Sequence, residues 1–374
     1  MPAPRLSDHF ARRRPSAIRA AQIEFAKRQD DTEALNVAIG NVSLPMHPAL
    51  QERLRGLGAA PSPFADGVVK YSSTVGREET NAAFLNIIAS SGFATDSLHS
   101  QVTDGGSQAM ELVTVGCCGP AGSAERPLLL IDAAYTNYMA FAERLGRRTV
   151  SITRTLGADG RFSLPALDAI EEVIRTHRPG AMVVIPYDNP TGQFYERETL
   201  VALARLCVEH DLWLVSDEAY RELHYVAQPA VSVWGLGEDE VPGLAGRRIS
   251  IETASKVWNA CGLRIGALVT DNAEFHARAV AENTAALCSN VIGQYIFGAL
   301  AHEPEVVVEA TFPVEGLKVG PLLAVRDALQ DFLRRLHDSP CRERCGWRLR
   351  LGARWAICGL PESWHAPWRG SKQR

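Results

Sequence analysis

Four short, mostly apolar runs constrain the fold of this chain more than any other feature. They lie at 128–132, 182–186, 212–216 and 249–251. Runs of this length without polar alternation are typical of strands that are buried on both faces of a sheet. Segments with helical character, such as 164–176 and 196–211, fall between them. Strands that alternate with helices predict an α/β fold around a mostly parallel sheet with right-handed crossovers.

Polar residues follow several of these strands directly. Asp132, Asn189 and Asp217 all lie at or just past the end of a predicted strand. In a parallel sheet, ligands bind at the carboxyl ends of the strands. We therefore expect these three side chains to converge on one crevice.

Composition narrows the class of protein. The 374 residues are 46% hydrophobic and 22% charged, which is ordinary for a globular chain with two or three domains. The net charge of −4 does not indicate the positively charged surface that nucleic-acid-binding proteins use. No apolar run is long enough to cross a membrane, and the basic segment 1–14 lacks the apolar stretch of a secretory signal. We expect a cytoplasmic protein with no nucleic-acid or membrane partner.

The eight cysteines do not indicate a disulfide framework in a chain of this length. Four of them, Cys117, Cys118, Cys207 and Cys288, sit in apolar segments, where reduced thiols are expected. Cys341, Cys345 and His365 match no common zinc spacing. No metal site is predicted.

Five residues in chain order indicate a pyridoxal phosphate site; they are Asn189, Asp217, Tyr220, Lys256 and Arg264. A lysine amine can form a Schiff base with the cofactor aldehyde, and a carboxylate can pair with the pyridine nitrogen. Neutral donors hold the ring oxygen and an arginine holds the phosphate. Lys256 is one of only five lysines among 39 basic residues, and it lies in a context of small residues, 253–256.

A glycine pair at the start of a predicted helix adds a phosphate cradle. Gly105, Gly106, Ser107 and Gln108 precede the helical run 109–115. Backbone N–H groups and the dipole at such a helix start bind anions. Tyr135 follows a strand end and has a ring that can stack on a pyridine.

Each residue alone also has an ordinary structural explanation. Lys256 fits a surface loop, Asp217 fits a helix cap, Tyr220 fits half-buried packing, and Tyr135 fits a core aromatic. Their occurrence together, in this order, favours the cofactor site.

These motifs resemble the fold-type I pyridoxal-phosphate enzymes of the class I/II aminotransferase family, over about residues 39–300. The resemblance implies a PLP transferase-like large domain, with a three-layer arrangement around the sheet. A smaller α+β domain would be built from the N-terminal arm and the C-terminal part. The implied divisions are 1–47 for the arm and part of the small domain, 48–300 for the large domain, and 301–374 for the C-terminal small-domain region.

The resemblance also implies the roles of individual residues. Lys256 would form the Schiff base and move protons, with Asp217 and Tyr220 as its catalytic partners. The implied cofactor-binding set is Tyr71, Gly105, Gly106, Ser107, Gln108, Tyr135, Asn189, Asp217, Tyr220, Thr253, Ser255, Lys256 and Arg264. Gly40 and Asn189 would contact the substrate. Tyr71 would reach the phosphate of a neighbouring subunit, which implies a homodimer with shared sites.

The implied function is an aminotransferase of amino acid metabolism or biosynthesis, acting on an amino acid and a 2-oxo acid. A lyase, racemase or decarboxylase on the same fold stays open, because fold and cofactor do not fix the reaction. A non-catalytic pyridoxal-phosphate-binding domain is the third alternative.

The C-terminal segment departs from the family pattern, and is anomalous after about residue 313. Residues 334–374 hold ten Lys or Arg against three Asp or Glu, and four of the seven tryptophans. A frame change in the coding sequence after about Phe312 and a divergent folded domain are both open explanations. Arg348, Arg350 and Arg354 are candidates by residue type alone for the arginine that binds the substrate carboxylate.

Overall fold

The computed structural model describes residues 4–32, 44–157, 162–221, 223 and 230–304. Gly40, the C-terminal segment after residue 304, and the cysteine, histidine and arginine candidates in it lie outside these ranges. The contacts divide the chain into a unit of residues 1–43 and a unit that begins at Leu44. In the first unit, α1 (Asp8–Arg12) and α2 (Ala17–Phe25) each begin at a serine, Ser7 and Ser16, whose hydroxyl accepts a backbone N–H of the first turn.

A seven-stranded sheet forms the centre of the second unit. Its strands are β1 (His99–Thr103), β2 (Leu128–Asp132), β3 (Thr149–Thr153), β6 (Ala181–Val184), β7 (Trp213–Asp217), β8 (Arg248–Thr253) and β9 (Gly266–Thr270). The order across the sheet is β1-β9-β8-β7-β6-β2-β3. β9 is antiparallel to both of its neighbours, and the other four pairs are parallel. A separate hairpin pairs β4 (Thr155–Leu156) with β5 (Phe162–Ser163).

Helices cover both faces of the sheet. They are α3 (Pro48–Arg55), α4 (Glu78–Ser90), α5 (Gly105–Cys117), α6 (Asn137–Arg144), α7 (Leu167–His177), α8 (Arg197–Glu209), α9 (Ala273–Asn283) and α10 (Val291–Phe297). Short 3₁₀ turns lie at Val233–Gly235, Cys261–Leu263, Thr284–Ala286 and Gly298–His302. One apolar core holds residues of α3, α4, α8 and α10, and the other holds residues of α5, α6 and α9.

Alternate residues of the central strands point into these two cores. In β2, Leu129 and Ile131 belong to the first core, while Leu128 and Leu130 belong to the second. This arrangement requires apolar residues at every position, since successive side chains of a strand point to opposite faces. The predicted three-layer, mostly parallel α/β fold is therefore confirmed for the described part of the large domain.

The chain changes direction across the sheet between β2 and β6. From β2 it proceeds outward to β3, and then returns through α7 to β6 on the other side of β2. A crevice opens at such a switch point, beyond the carboxyl ends of the two strands. The segments that follow β2, β6, β7 and β8 all reach this edge, and they carry most of the predicted site residues.

The smaller α+β domain falls largely on residues outside the described ranges, and the predicted division at residue 300 stays a prediction. Among the described residues, no helix is both long enough and apolar enough to cross a membrane. The segment 273–302 forms α9 and α10, each followed by a 3₁₀ turn.

Candidate active site

Asp217 is the last residue of β7, and its carboxylate faces the carboxyl edge of the sheet. Tyr138, on α6, donates its hydroxyl hydrogen to Asp217 Oδ2. The backbone N–H of Ala219 donates to Asp217 Oδ1 at 3.1 Å. Residues 219–221 form a turn, and among the described residues that directly follow β7, 218–221, no helix begins for this aspartate to cap.

The surroundings of Asp217 disfavour its negative charge and raise its pKa. Burial raises the pKa of Asp217, and the hydrogen bonds from Tyr138 and Ala219 oppose the rise only in part. Glu252 and Asp188 raise it further by charge repulsion. Burial also raises the pKa of Tyr138 well above its ordinary value, so its hydroxyl remains a donor. A protonated ring nitrogen beside Asp217 would lower the pKa of the carboxyl group again and keep it ionised.

Tyr135 lies beside this pair at the start of the helical segment. Its ring meets that of Tyr138 edge-on, with centroids 5.5 Å apart and an interplanar angle of 82°. Asn137 donates to the Tyr135 hydroxyl at 2.7 Å. The Tyr135 side chain is 37% exposed, so its ring is accessible from the crevice and is not a core aromatic.

Lys256 lies in the loop after β8 and is half-buried. Burial lowers its pKa, and the positive charge of Arg264 lowers it further. Cys261 and Asp217 act in the opposite direction. Lys256, Asp217 and Arg264 are thus near enough for the charges of the carboxylate and the guanidinium to act on the amine. A lowered pKa favours the neutral amine, which is the nucleophilic form.

The start of α5 forms the predicted anion cradle. Gly105 has φ +72°, and a Cβ there would lie 2.7 Å from Arg264 Nη2. Gly266 of β9 packs against the same turn, where a Cβ would lie 2.5 Å from the carbonyl carbon of Gly105 and 2.7 Å from Gly106 N. Glycine at both positions lets the helix start approach the sheet and the guanidinium. The free N–H groups of the helix start and the Arg264 charge therefore lie together, as an anion site requires.

Hydroxyl groups from the end of β8 border the cradle. A Cβ at Gly106 would lie 3.8 Å from Thr253 Cβ. Thr253 Oγ1 donates to Ser255 Oγ at 2.8 Å, and the Ser255 N–H donates back to Thr253 Oγ1 at 3.1 Å. Gln108 is directed elsewhere: its amide donates to Asn283 Oδ1 at 2.9 Å and accepts the Asp104 N–H at 2.7 Å. Gln108 thus holds the helix start in position.

Asn189 lies in a turn after β6 that a buried ion pair supports. Arg154 contacts both oxygens of Asp188, at 2.8 and 3.2 Å, and both side chains are almost fully buried. Thr191 donates its hydroxyl and its N–H to the same carboxylate. Because Asp188 is bonded on several sides, the neighbouring Asn189 is held at the crevice, where it is partly exposed.

Tyr71 and Tyr220 are the other described residues of the predicted set. Tyr71 is 80% exposed in the segment before α4. Tyr220 is half-buried in the turn after β7, where its carbonyl accepts the Leu223 N–H at 2.8 Å. The predicted roles of both in cofactor binding stay predictions, as does that of Gly40.

The residues present fit pyridoxal phosphate. A cradle beside the Arg264 guanidinium that would not admit a Cβ suits its phosphate, and a half-buried carboxylate whose pKa is raised suits its ring nitrogen. Lys256, whose pKa burial lowers, suits the aldehyde. These three features lie at one edge of the sheet, and each matches a different part of the cofactor.

Tyr138 and the Arg154–Asp188 pair were not predicted as site residues. Tyr138 carried a usable signal, because it lies three residues after Tyr135 at the start of a helix and so shares a face with it. The sequence around Arg154 carried no usable signal, because its partner Asp188 is 34 residues away and the contact depends on strand register.

Comparisons with known proteins agree with this reading. The family model described as aminotransferase class I and II matches residues 66–336. Aspartate/prephenate aminotransferase of Thermus thermophilus is 29% identical over 253 residues, which cover 67% of this chain and 59% of that protein. A probable N-succinyldiaminopimelate aminotransferase of Mycobacterium tuberculosis is 32% identical over 166 residues, covering 44% and 38%. The chain thus spans less than two thirds of the length of these relatives.

Solved structures show the same fold. A tetra mutant of Thermus thermophilus aspartate aminotransferase complexed with tryptophan superposes with a TM-score of 0.71 at 23% identity, over 90% of this chain and 81% of that one. N-Succinyldiaminopimelate aminotransferase from Mycobacterium tuberculosis gives a TM-score of 0.63 at 21% identity, over 86% and 74%. Since the family model covers well over half of the sequence and the fold agrees, the chain belongs to the class I and II aminotransferases.

Proposed function

We propose that this chain is a pyridoxal-phosphate-dependent aminotransferase that moves an amino group between an amino acid and a 2-oxo acid. One observation carries the proposal: Asp217 ends β7, Lys256 follows the neighbouring parallel strand β8, and Arg264 packs against the start of α5, so that a carboxylate, an amine and an anion cradle lie at one edge of the sheet. The names of the relatives support the reaction type, since those compared above are all aminotransferases.

Different residues of the site would bind different parts of the cofactor. Arg264, the N–H groups of Gly105 to Ser107 and the Thr253 hydroxyl would hold the phosphate. Asp217, kept in place by Tyr138, would hold a proton on the ring nitrogen. Asn189 and Tyr220 would bind the ring oxygen. When bound, the cofactor supplies an aldehyde that takes up the amino group and a ring that accepts the electrons of the broken C–H bond.

Lys256 is the proposed proton carrier. Its lowered pKa favours the neutral amine, which can remove a proton from the α-carbon of the substrate and return it elsewhere. Asp217 stays ionised beside the ring nitrogen when that nitrogen carries its proton, because an opposite charge reverses the effect of burial on its pKa.

A reduction experiment tests the assignment of Lys256. Borohydride treatment of the purified holoprotein, followed by peptide mass mapping, is expected to find the cofactor attached to Lys256. Lys256→Ala is expected to lose transamination by about two to four orders of magnitude, as is usual when a proton carrier is removed. Lys27→Ala, at an exposed lysine just after α2, is the matched control and should retain activity. Attachment of the cofactor at Lys70 or Lys318 would refute the assignment.

The amino donor is found by experiment rather than by analogy, because the relatives act on different substrates. The relatives are named for aspartate, prephenate, kynurenine, arginine and N-succinyldiaminopimelate. Adding amino acids singly to the holoprotein and following its visible absorbance should identify the donors, each confirmed by release of its 2-oxo acid. Release of CO₂, or racemisation without a 2-oxo acid, would favour a decarboxylase or a racemase.

We further propose a cytoplasmic homodimer. Val68, Val69 and Tyr71 form an exposed apolar segment, with exposed fractions of 45, 55 and 80%, which supports burial against a second copy. Five described cysteines are free, which supports a reducing compartment.

A further inference from the structure

A second cluster of charged side chains lies behind Asp217, on the opposite face of the sheet. Glu218 and Arg221 follow β7, and Glu252 is the next-to-last residue of β8. All three are at least 96% buried. Glu218 and Glu252 lie one residue away from Asp217 and Thr253, respectively, so their side chains point to the face that those two residues do not use.

The centre of this cluster is a two-pronged ion pair. Arg221 Nη1 lies 2.9 Å from Glu252 Oε1, and Arg221 Nη2 lies 3.1 Å from Glu252 Oε2. The Ser250 hydroxyl donates to Glu252 Oε1 at 2.7 Å. Arg221 Nη1 also lies 3.7 Å from Glu218 Oε2. The pair joins the turn after β7 to the end of β8.

Glu218 completes the cluster, and its two carboxylate oxygens differ: Oε1 is well bonded, whereas the buried Oε2 accepts no hydrogen bond from the described residues and has the Arg221 guanidinium 3.7 Å away. Its Oε1 accepts the hydroxyl of Ser216 at 2.8 Å, that of Ser232 at 3.0 Å and the N–H of Val233 at 3.2 Å. One guanidinium is thus shared by two buried carboxylates. The cluster carries a surplus negative charge whenever both carboxylates are ionised.

Stability alone does not account for such an arrangement. Removing two ions from water costs more than their attraction commonly returns, and apolar residues of the same volume are often as stable or more so. What the ion pair does provide is a fixed distance and orientation, because the planar fork of arginine matches a carboxylate in only a few geometries.

The two segments that it joins are those that carry the proposed chemistry. Arg221 is four residues after Asp217 and adjoins Tyr220, and Glu252 is four residues before Lys256. The backbone supports the same junction, since the Glu218 N–H donates to Ile251 O at 3.0 Å. A change in the length of the ion pair would move the Asp217 turn relative to the Lys256 loop.

We propose that the Arg221–Glu252 pair is a positioning clamp that sets the spacing between the ring-nitrogen carboxylate Asp217 and the cofactor-bearing amine Lys256. The proposal rests on the function proposed above. Neither residue of the clamp touches the cofactor, so both act through the segments that they join. A misplacement of about 1 Å at a reacting centre is enough to cost roughly a hundredfold in rate.

The test removes the clamp and measures cofactor binding. The double variant Arg221→Met/Glu252→Gln exchanges the ions for neutral groups of similar size. We expect the dissociation constant of pyridoxal phosphate from the apoprotein to rise by about tenfold or more, and the pH midpoint of the holoprotein's visible absorbance to shift. Urea unfolding of the apoprotein verifies that the variant is folded.

A matched ion pair at the other end of β8 provides the control. Arg248 Nε lies 2.8 Å from Asp271 Oδ2, and both side chains are largely buried. Arg248→Met/Asp271→Asn should lower the resistance to urea, yet leave the cofactor dissociation constant and the pH midpoint within about twofold of the wild type. Arg221→Lys keeps the charge without the fork. It should shift both quantities in the same direction as the double variant, and it carries the test if the double variant does not fold.

Two outcomes contradict the proposal in distinguishable ways. If folded clamp variants bind the cofactor with unchanged affinity and an unchanged pH midpoint, the clamp is refuted and the proposed function is untouched. If the wild type forms no borohydride-stable adduct at Lys256, the proposed function fails and the clamp falls with it.

Discussion

Two neighbouring carboxyl groups, Asp217 and Glu218, have different tasks because a strand points them to opposite faces of the sheet. Asp217 faces the crevice and accepts hydrogen bonds from Tyr138 and Ala219. Glu218 faces away, and burial raises its pKa to about 7, with Arg221 lowering the pKa and Glu252 raising it. Burial raises the pKa of Asp217 as well, but a protonated ring nitrogen in the crevice would keep that carboxylate ionised. Glu218 points away from that nitrogen, and its charge changes near neutral pH.

The titration of Glu218 predicts a measurable effect on stability. Its pKa in the folded protein, about 7, lies above the ordinary 4.5, so the folded state holds its proton more tightly than the unfolded state does. The free energy of unfolding therefore falls as the pH rises through this window, and levels off above it. Glu218→Gln removes the titrating group, so its unfolding free energy should fall less, by on the order of 1 to 3 kcal/mol between pH about 5 and about 8.

Urea unfolding at several pH values gives this difference directly. Glu282→Gln, at an exposed position on α9, is the control and should follow the wild-type pH dependence. A Glu218→Gln curve parallel to that of the wild type would show that Glu218 stays ionised, or stays protonated, throughout the range.

The sequence points to the residues of the candidate site more readily than to the residues that hold them in position. Lys256 and Asp217 stand out because each belongs to a short local motif whose residue types match the cofactor. Arg221 and Glu252 do not, since 31 residues separate them and only the pairing of β7 with β8 brings them together. Contacts of this kind are fixed by register, which no local pattern encodes.

At the scale of elements, the predicted strands are those with apolar runs that serve both faces, although β9, whose Ala267 and Leu268 enter the two cores, was not predicted. β2, β6 and β7 were predicted to within about two residues, because both cores require apolar side chains from them. β1 was missed, since it buries Ser100, Gln101 and Thr103 and so lacks an apolar run. β3 was missed because it is an edge strand with exposed positions.

The contact between β9 and the start of α5 predicts how the anion cradle fails. Gly266→Ala would place a Cβ 2.5 Å from the carbonyl carbon of Gly105 and force the helix start away from the sheet. We expect a loss of about 1–3 kcal/mol in unfolding free energy, as overpacking usually costs. The affinity for pyridoxal phosphate should fall more than the affinity for unphosphorylated pyridoxal, because the defect lies at the phosphate.

Gly262→Ala is the control for this substitution. No atom lies within 4 Å of a Cβ at Gly262, which belongs to the 3₁₀ turn just before Arg264. Titrating the apoprotein with pyridoxal phosphate and with pyridoxal measures the loss of affinity for each. Thermal unfolding measures the loss of stability separately. An equal loss of affinity for both forms in Gly266→Ala would place the defect outside the cradle.

At the scale of the whole molecule, the exposure of Tyr71 favours an assembly in which each site uses two chains. A hydroxyl on an 80% exposed tyrosine is available to a neighbouring subunit, and a twofold dimer would supply it to both sites alike. Tyr71→Ala should therefore weaken cofactor binding without disturbing the core of its own chain. Light scattering is expected to give twice the mass of the chain.

Subunit mixing then decides whether Tyr71 acts across the interface. Lys256→Ala and Tyr71→Ala proteins, unfolded together and refolded, should form hybrid dimers in which one site has an intact lysine from one chain and an intact tyrosine from the other. Activity should rise well above that of either parent. Lys256→Ala mixed with Asp217→Asn is the control, because both residues serve the site of their own chain and no hybrid site is intact. If neither mixture recovers activity, or if the protein is a monomer in solution, Tyr71 does not act across a subunit interface.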